Sequence, residues 1–371
     1  MTPDRSVPCP PREYLVNGGT LVQLKERYGI SHRRHGRFNN LVQLKYSQID
    51  SPMDEPIVQE SRGIILDQDN DWRVIAWPFK KFFNYGEPLA ATIDWSTARV
   101  QEKLDGSMMS LYRYDGSWHV ATSGMPDAAG LVQGTNKLFT QLFWETWYKK
   151  GFVEPPGINA AFTFVFELTS PLNRIVIPHA ADNLTLIGMR NIWSGTEVPV
   201  RYRAAYNPVT EFELQTMDQV TATFTTMSPL MQEGYVIIDG QSRRIKVKHP
   251  GYVALHHLKS SFSTKKLVEI IRSGETAEVL VSFPEWQKPF DQVQAAYDGL
   301  VTQLEQDYAE LRSIDNRKDF AMAAKLSVLP ATHFFLRDSR VPSVKEGLKL
   351  VHIDKFIKLL GVEGLVLEGA I

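Results

Sequence analysis

Apolar and polar positions alternate along much of the chain as far as Ser260, and repeat with a helical period beyond it. Phe38–Tyr46 alternates as a strand does. Arg62-Gly63-Ile64-Ile65-Leu66 and Trp72–Trp77, joined by the polar run Asp67–Asp71, predict a hairpin. Ala98–Glu102 and Met108–Tyr114 read as strands flanking Lys103-Leu104-Asp105-Gly106-Ser107, and Leu111–Thr122 as a hairpin about Asp115-Gly116. Phe162–Leu168, Ile175–Ile177, Leu184–Met189, Glu233–Ile238 and Ser242–Lys248 predict further strands. Short helices are expected within Tyr14–Tyr28 and Lys137–Lys149. Past Ser260 the spacing predicts helices over Thr264–Ile271, Phe290–Leu311, Arg317–Ser327 and Ser343–Leu360. The stripe Phe290, Val293, Tyr297, Leu300, Leu304, Tyr308 and Leu311 reads as core. The expected class is therefore α+β: a strand-rich domain over residues 1–260, then an all-helical domain over 261–371. Residues 1–13 are expected to form a loose leader, and Ser31–Arg37 a basic loop.

Composition narrows the function. The 371 residues, 43% hydrophobic and 22% charged, suit two globular domains. A net charge of −1 provides no overall basic field, so any nucleic-acid site has to be a local patch. The loop Ser31-His32-Arg33-Arg34-His35-Gly36-Arg37 is either a solvated turn or a phosphate-contacting edge. Cys9 is the only cysteine, which excludes an intrachain disulfide and fits a reducing cytosol. No apolar run approaches the roughly 18 residues of a membrane span, and no signal-peptide core opens the chain.

The candidate chemistry centres on Lys103-Leu104-Asp105-Gly106-Ser107. Asp-Gly favours a tight turn, which would leave Lys103 at a strand end as an amine nucleophile aimed into a cleft. Phe79-Lys80-Lys81-Phe82-Phe83-Asn84-Tyr85 interleaves cations with aromatics, as a face that stacks a purine and holds a phosphate would; core packing explains two of the rings equally well. Glu167, in an apolar strand, is costly unless a cation or hydroxyl meets it. Glu233 repeats that theme at the start of Gly234–Ile238. Lys246 and Lys248 share one strand face, where a polyanion would relieve their repulsion.

In order, the chain thus carries Ser61-Arg62-Gly63, Lys81-Phe82-Phe83-Asn84, Lys103-Leu104-Asp105-Gly106-Ser107, Phe166-Glu167-Leu168, Glu233-Gly234-Tyr235-Val236 and Lys246-Val247-Lys248. The series resembles the covalent nucleotidyltransferase superfamily of ATP-dependent ligases and capping enzymes. It is most similar to the RNA ligase 1 family typified by the T-even phages. Pro171–Val176, Tyr252–His256 and Arg317–Met322 also look like family segments. The resemblance implies an ATP-grasp-like nucleotidyltransferase domain of antiparallel sheets with flanking helices. It implies an ATP-dependent RNA ligase that joins RNA 5′-phosphate and 3′-hydroxyl ends through a lysyl-AMP and an RNA-adenylate. Family precedent points to repair of nicked tRNA, with the helical domain helping to select the substrate.

By the same resemblance Lys103 is the nucleophile, with Glu233, Lys246 and Lys248 catalytic beside it. Arg62, Lys81, Phe83, Glu102, Asp105, Gly106, Glu167, Gly234 and Tyr252 bind the nucleotide, with Phe83 stacking on adenine and Asp105 orienting Lys103. The implied cofactors are ATP and Mg²⁺, or Mn²⁺, with Glu167 and Glu233 as the metal carboxylates. An attacking lysine must shed its proton, and Lys246 and Lys248 with partial burial would favour the neutral amine. The expected setting is a monomer in the cytoplasm, that of a phage-infected host if the chain is phage-encoded, with no membrane partner. Where the family has a lysine after the second hairpin, this chain has Ser123; one positive contact is missing, or Lys137 or another group supplies it. The alternatives are a DNA ligase or capping-type enzyme, which would bring a β-barrel after the paired lysines, and a non-catalytic RNA-binding descendant.

Overall fold

The computed structural model describes residues 7–155, 160–200, 204–257, 263–282 and 284–363. Two compact units emerge, residues 1–47 with 51–256, and residues 48–50 with 257–371. The boundary expected at residue 260 lies outside the described residues.

The first unit contains three sheets. The first runs in chain order through β1 (Ser31–Arg34), β2 (Leu41–Lys45), β3 (Arg62–Asp67) and β4 (Arg73–Ala76), antiparallel throughout. Its period-two pattern feeds two cores. Val42, Leu44, Ile64 and Leu66 pack with Leu15 and Leu24, which come from helices Pro10–Val16 and Leu21–Tyr28. Leu41 and Ile65 pack with Tyr112 and Ala121 on the opposite side. Then come β5 (Phe83–Asn84), β6 (Arg99–Lys103), β7 (Ser107–Tyr114), β8 (Ser117–Thr122), β9 (Phe162–Thr169) and β10 (Asn183–Asn191). The second sheet has the antiparallel order β10-β9-β7-β8. Helix Phe139–Lys149 lays Leu142, Phe143 and Trp147 against its Phe164 and Phe166. The third sheet adds β11 (Glu211–Phe212), β12 (Gly234–Ile238) and β13 (Arg244–Lys248) in the order β11-β6-β12-β13-β5. Only its β13–β5 pair is parallel among the described strands. Val100, Tyr235, Ile237, Ile245 and Val247 form the apolar side of this sheet.

Four local expectations change. The described part of the expected leader is not loose: Pro10 opens a helix, and Cys9 just before it is fully buried. The first four residues of the expected basic loop, Ser31–Arg34, are strand β1, because their backbone pairs with β2 while their side chains stay exposed. Tyr14–Tyr28 is interrupted at Gly18 (φ +91°) and Gly19, so two helices replace one. Ile175–Ile177 is not a strand; its amides are taken by a side chain described below.

Over its described residues the second unit consists of helices and the turns that join them, with no strand. Helix Gln287–Leu311 buries Phe290, Val293, Tyr297, Val301, Leu304 and Leu311. It packs with Leu267 and Ile271 of Thr264–Ser273, Leu348 of Val344–Lys349 and Phe356 of Ile353–Leu360. The predicted helix over Ser343–Leu360 is therefore two, and helix Pro330–Arg337 was not anticipated.

Candidate active site

Lys103 is the last residue of β6. At Leu104–Gly106 the chain leaves the five-stranded sheet and enters the four-stranded one at β7, so the turn does not close a hairpin. The need for glycine here is steric. Gly106 lies outside the positive-φ region, but a Cβ on it would sit 2.5 Å from the carbonyl oxygen of Leu168 in β9.

Asp105 anchors the turn from within. Its Oδ2 accepts from the backbone N–H of Val176 (2.9 Å) and Ile177 (2.6 Å), and its Oδ1 from the hydroxyl of Tyr252 (2.7 Å). Its carboxylate thus fixes the loop and helix Pro250–His257 around Lys103, and no direct Asp105–Lys103 hydrogen bond forms.

Register then assembles the site. Lys103, Gly234 and Lys248 lie opposite one another across β6, β12 and β13, with Gln101, Val236 and Lys246 forming the next row on the same face. Gly234 has φ +143°, and a Cβ there would meet the carbonyl oxygen of Val247 at 2.2 Å. Glu233, 3% exposed, spans the row: its Oε2 accepts from Lys103 Nζ at 2.6 Å, and its Oε1 lies 3.4 Å from Lys248 Nζ. The sequence reading surrounded Lys103 with like charges; its closest charged group is a carboxylate.

A cavity of about 290 Å³ opens on this face, lined by Arg62, Phe82, Lys103, Glu167, Lys246 and Lys248 among others. Arg62 stacks near Phe79 and Phe82, 5.5 and 5.1 Å from their ring centres, and its Nη1 is buried without a hydrogen-bond acceptor. Burial pushes the Glu167 carboxyl up to about 7, against the opposing pull of Lys103 and Arg62; Glu233 and Asp105 add to the rise. Burial also raises Glu102. Tyr252, 2% exposed, has its ring 5.8 Å from Lys248 Nζ.

Of the residues singled out from the sequence, Arg62, Glu102, Lys103, Gly106, Glu167, Lys246 and Lys248 line the cavity. Asp105, Glu233, Gly234 and Tyr252 adjoin it through the contacts above. Lys81 and Phe83 do not line it: Lys81 Nζ lies over the rings of Tyr46 and Phe83, and Phe83 is buried in β5 opposite Ile245. Phe82 and Phe79 line it instead. Lys81 and Phe83 are named by resemblance; β5 covers only Phe83 and Asn84, so strand periodicity does not govern Phe79–Phe82. Arg244, which also lines the cavity and pairs with Glu197, was missed for lack of any signal beyond its place in β13.

A family model described as RNA ligase, of the T4 RNA ligase 1 type, matches residues 60–252, just over half of the chain. The chain belongs to the RNA ligase family. An RNA ligase of Rhodothermus phage RM378 is 26% identical over 80% of this chain and 83% of that protein. A protein of Autographa californica nuclear polyhedrosis virus, named as a bifunctional polynucleotide kinase/RNA ligase, is 27% identical over 73% of this chain; the ligase chain spans 41% of that longer protein. Among solved structures, an archaeal ATP-dependent RNA ligase aligns with a TM-score of 0.42 and 12% identity, covering 68% of this chain and 64% of that one.

In this ligase, Lys137 pairs with Glu145 at 2.6 Å and is not part of the cavity lining, so it does not supply a cation in place of Ser123. Among the described residues no three His, Cys, Asp or Glu side chains converge to hold a metal alone. Glu167 fits a divalent cation: no hydrogen-bond donor among the described residues reaches its half-buried carboxyl, and a cation would favour its charged form. Glu233 fits less well, since lysines approach both of its oxygens. Such an ion would complete its shell with phosphate oxygens and water.

Proposed function

We propose that this RNA ligase joins RNA ends in an ATP-dependent reaction, with Lys103 as the nucleophile. One observation carries the reading: the Lys103 amine, held by Glu233, faces a cavity into which Lys246 and Lys248 project from the same sheet face. Lys103 gives its proton to an acceptor, for which Glu233 at 2.6 Å is placed, and its nitrogen attacks the α-phosphorus of ATP. The P–O bond to pyrophosphate breaks and a lysyl-AMP forms. An RNA 5′-phosphate oxygen then attacks the same phosphorus, breaking the P–N bond and returning the amine. An RNA 3′-hydroxyl attacks the activated 5′-phosphate, loses its proton, and releases AMP as the phosphodiester forms.

The chain's own contribution is charge neutralisation and in-line positioning. Lys246, Lys248 and the unsatisfied Nη1 of Arg62 face the phosphates, and Phe82 offers a ring for the base. Mg²⁺ or Mn²⁺, held by Glu167 with Glu233 nearby, would further neutralise phosphate charge. The helical unit would help select the RNA, with nicked tRNA the proposed substrate and a cytoplasmic monomer the proposed setting. Helices without a strand over the described residues 263–363 speak against the barrel of a DNA ligase or capping enzyme.

Incubation with α-labelled ATP and Mg²⁺ tests the first step. A labelled protein band is expected in the wild type and not in Lys103→Ala; an unlabelled wild type rejects the reading. Supplying 5′-phosphorylated RNA or DNA strands then tests the choice of nucleic acid, and deleting residues 261–371 tests the helical unit. Joining of tRNA halves at full rate after that deletion would remove it from substrate selection.

A further inference from the structure

The basic segment around β1 is not explained by the cavity. The chain as a whole is balanced, with 41 Lys and Arg against 42 Asp and Glu. Yet from Tyr28 to Tyr46 it carries Arg33, Arg34, Arg37 and Lys45 and no acidic residue. All four cations are exposed, and none forms an ion pair with a described residue. Arg34 donates to neutral acceptors, the carbonyl of Asn39 and the side chain of Gln68. Arg37 lies over the ring of Phe38. Two carboxylates are bonded to the segment, each to a neutral donor: Asp127 accepts from the backbone N–H of Gly36 at 3.1 Å, and Asp67 from the side chain of Asn40 at 2.8 Å. Exposed cations without counter-charges are what a polyanion's backbone requires.

Register shows where these charges lead. Lys45 of β2 lies opposite Arg62 of β3, which lines the cavity, and opposite Ser31 of β1. Arg33 pairs with Gln43, two residues from Lys45 and so on the same face. That face meets the turn after β8: Gln43 donates to the carbonyl of Thr122 at 2.8 Å, and a Cβ on Gly124 would sit 3.1 Å from Lys45 Nζ. Arg62 faces Lys45 across the β-bulge between Leu44 and Lys45, and Arg33 lies diagonally from Lys45, within about 7–8 Å on ideal sheet geometry, so the three cations lead from the cavity toward the sheet edge.

We propose that Lys45 and Arg33 bind backbone phosphates of the RNA strand whose end enters the cavity. The proposal rests on the RNA-joining function above and adds a binding surface to it. Charge on an exposed edge strand also discourages strand-to-strand aggregation, but Lys45 belongs to β2, which is paired on both sides.

The test uses the full-length protein, a short 5′-phosphorylated single-stranded RNA, and the double variant Lys45→Ala with Arg33→Ala. RNA affinity is measured across a salt series, and labelling by ATP is measured without RNA. The variant is expected to bind RNA about tenfold more weakly, with the slope of log affinity against log salt shallower by about 0.7 per lost phosphate contact, and to label at the wild-type rate. Conservative Lys45→Arg should retain the affinity. Unchanged affinity and slope overturn the proposal, most plainly if the variant aggregates instead. Loss of labelling with RNA affinity retained also overturns it, since the lysine would then serve ATP. A wild type that fails to label sinks the proposed reaction, and the salt series still decides the binding surface.

Discussion

The mouths of β9 and β12 look alike in sequence, each an apolar strand with one glutamate at its polar end. In the folded chain they are opposites. Glu233 lies between two ammonium groups, 2.6 and 3.4 Å away. Glu167 has no hydrogen-bond partner among the described residues, and burial drives its carboxyl to about 7. One carboxylate is already compensated and holds Lys103; the other is left wanting a cation. Burial alone does not assign a carboxylate its role; the charge left over after its neighbours are counted does.

Breaking the clamp should have the largest effect. Glu233→Gln keeps the shape but removes the charge shared by Lys103 and Lys248. Formation of the AMP adduct is expected to fall on the order of 10²- to 10³-fold in a labelling time course. A rate within a factor of two of wild type would reduce Glu233 to a packing residue.

Glu167→Gln should act through pH. A carboxyl whose pKa rises on folding, here from 4.5 to about 7, takes up a proton on folding between those values. Stability therefore falls as pH rises through that window, and the loss is complete above about 7. Relative to Glu167→Gln, the wild type should lose about 3 kcal/mol between pH 4 and pH 8, read from denaturant unfolding at each pH. Parallel curves would mean that Glu167 is already compensated as Glu233 is.

Gly106→Ala should disturb one mouth and spare the other. Its new Cβ would press on the carbonyl of Leu168, the residue after Glu167, costing about 1–3 kcal/mol of stability while the Glu233 clamp persists. Lys248→Met should have the smallest effect. It leaves the Lys103–Glu233 pair in place, and adduct formation should drop about tenfold, equivalent to about 1.4 kcal/mol.

Much of this contrast could be anticipated in part. The strands of the cavity and both glutamates stand out because an ionisable residue in an apolar, alternating run breaks a local pattern. The helical unit was legible for the same kind of reason, as its long stripe at Phe290–Leu311 has no competing explanation. What escaped is what depends on pairing between distant segments. That Gly106 serves a close approach depends on β9 arriving beside it. That Ile175–Ile177 is not a strand depends on Asp105, some seventy residues earlier, claiming its amides. Phe83 comes from the resemblance, while Phe82 lines the cavity; a strand of two residues offers no alternation from which to read that.

Position 234 has a further consequence. A hydrogen atom in place of a side chain lets the two outer lysines share one acid across a single backbone, and any bulk there would strike the neighbouring strand. Descendants of this chain can exchange much of the sheet one letter at a time, but not this letter. To change it they would have to remake two strands at once, and would lose their grip on the amine while doing so.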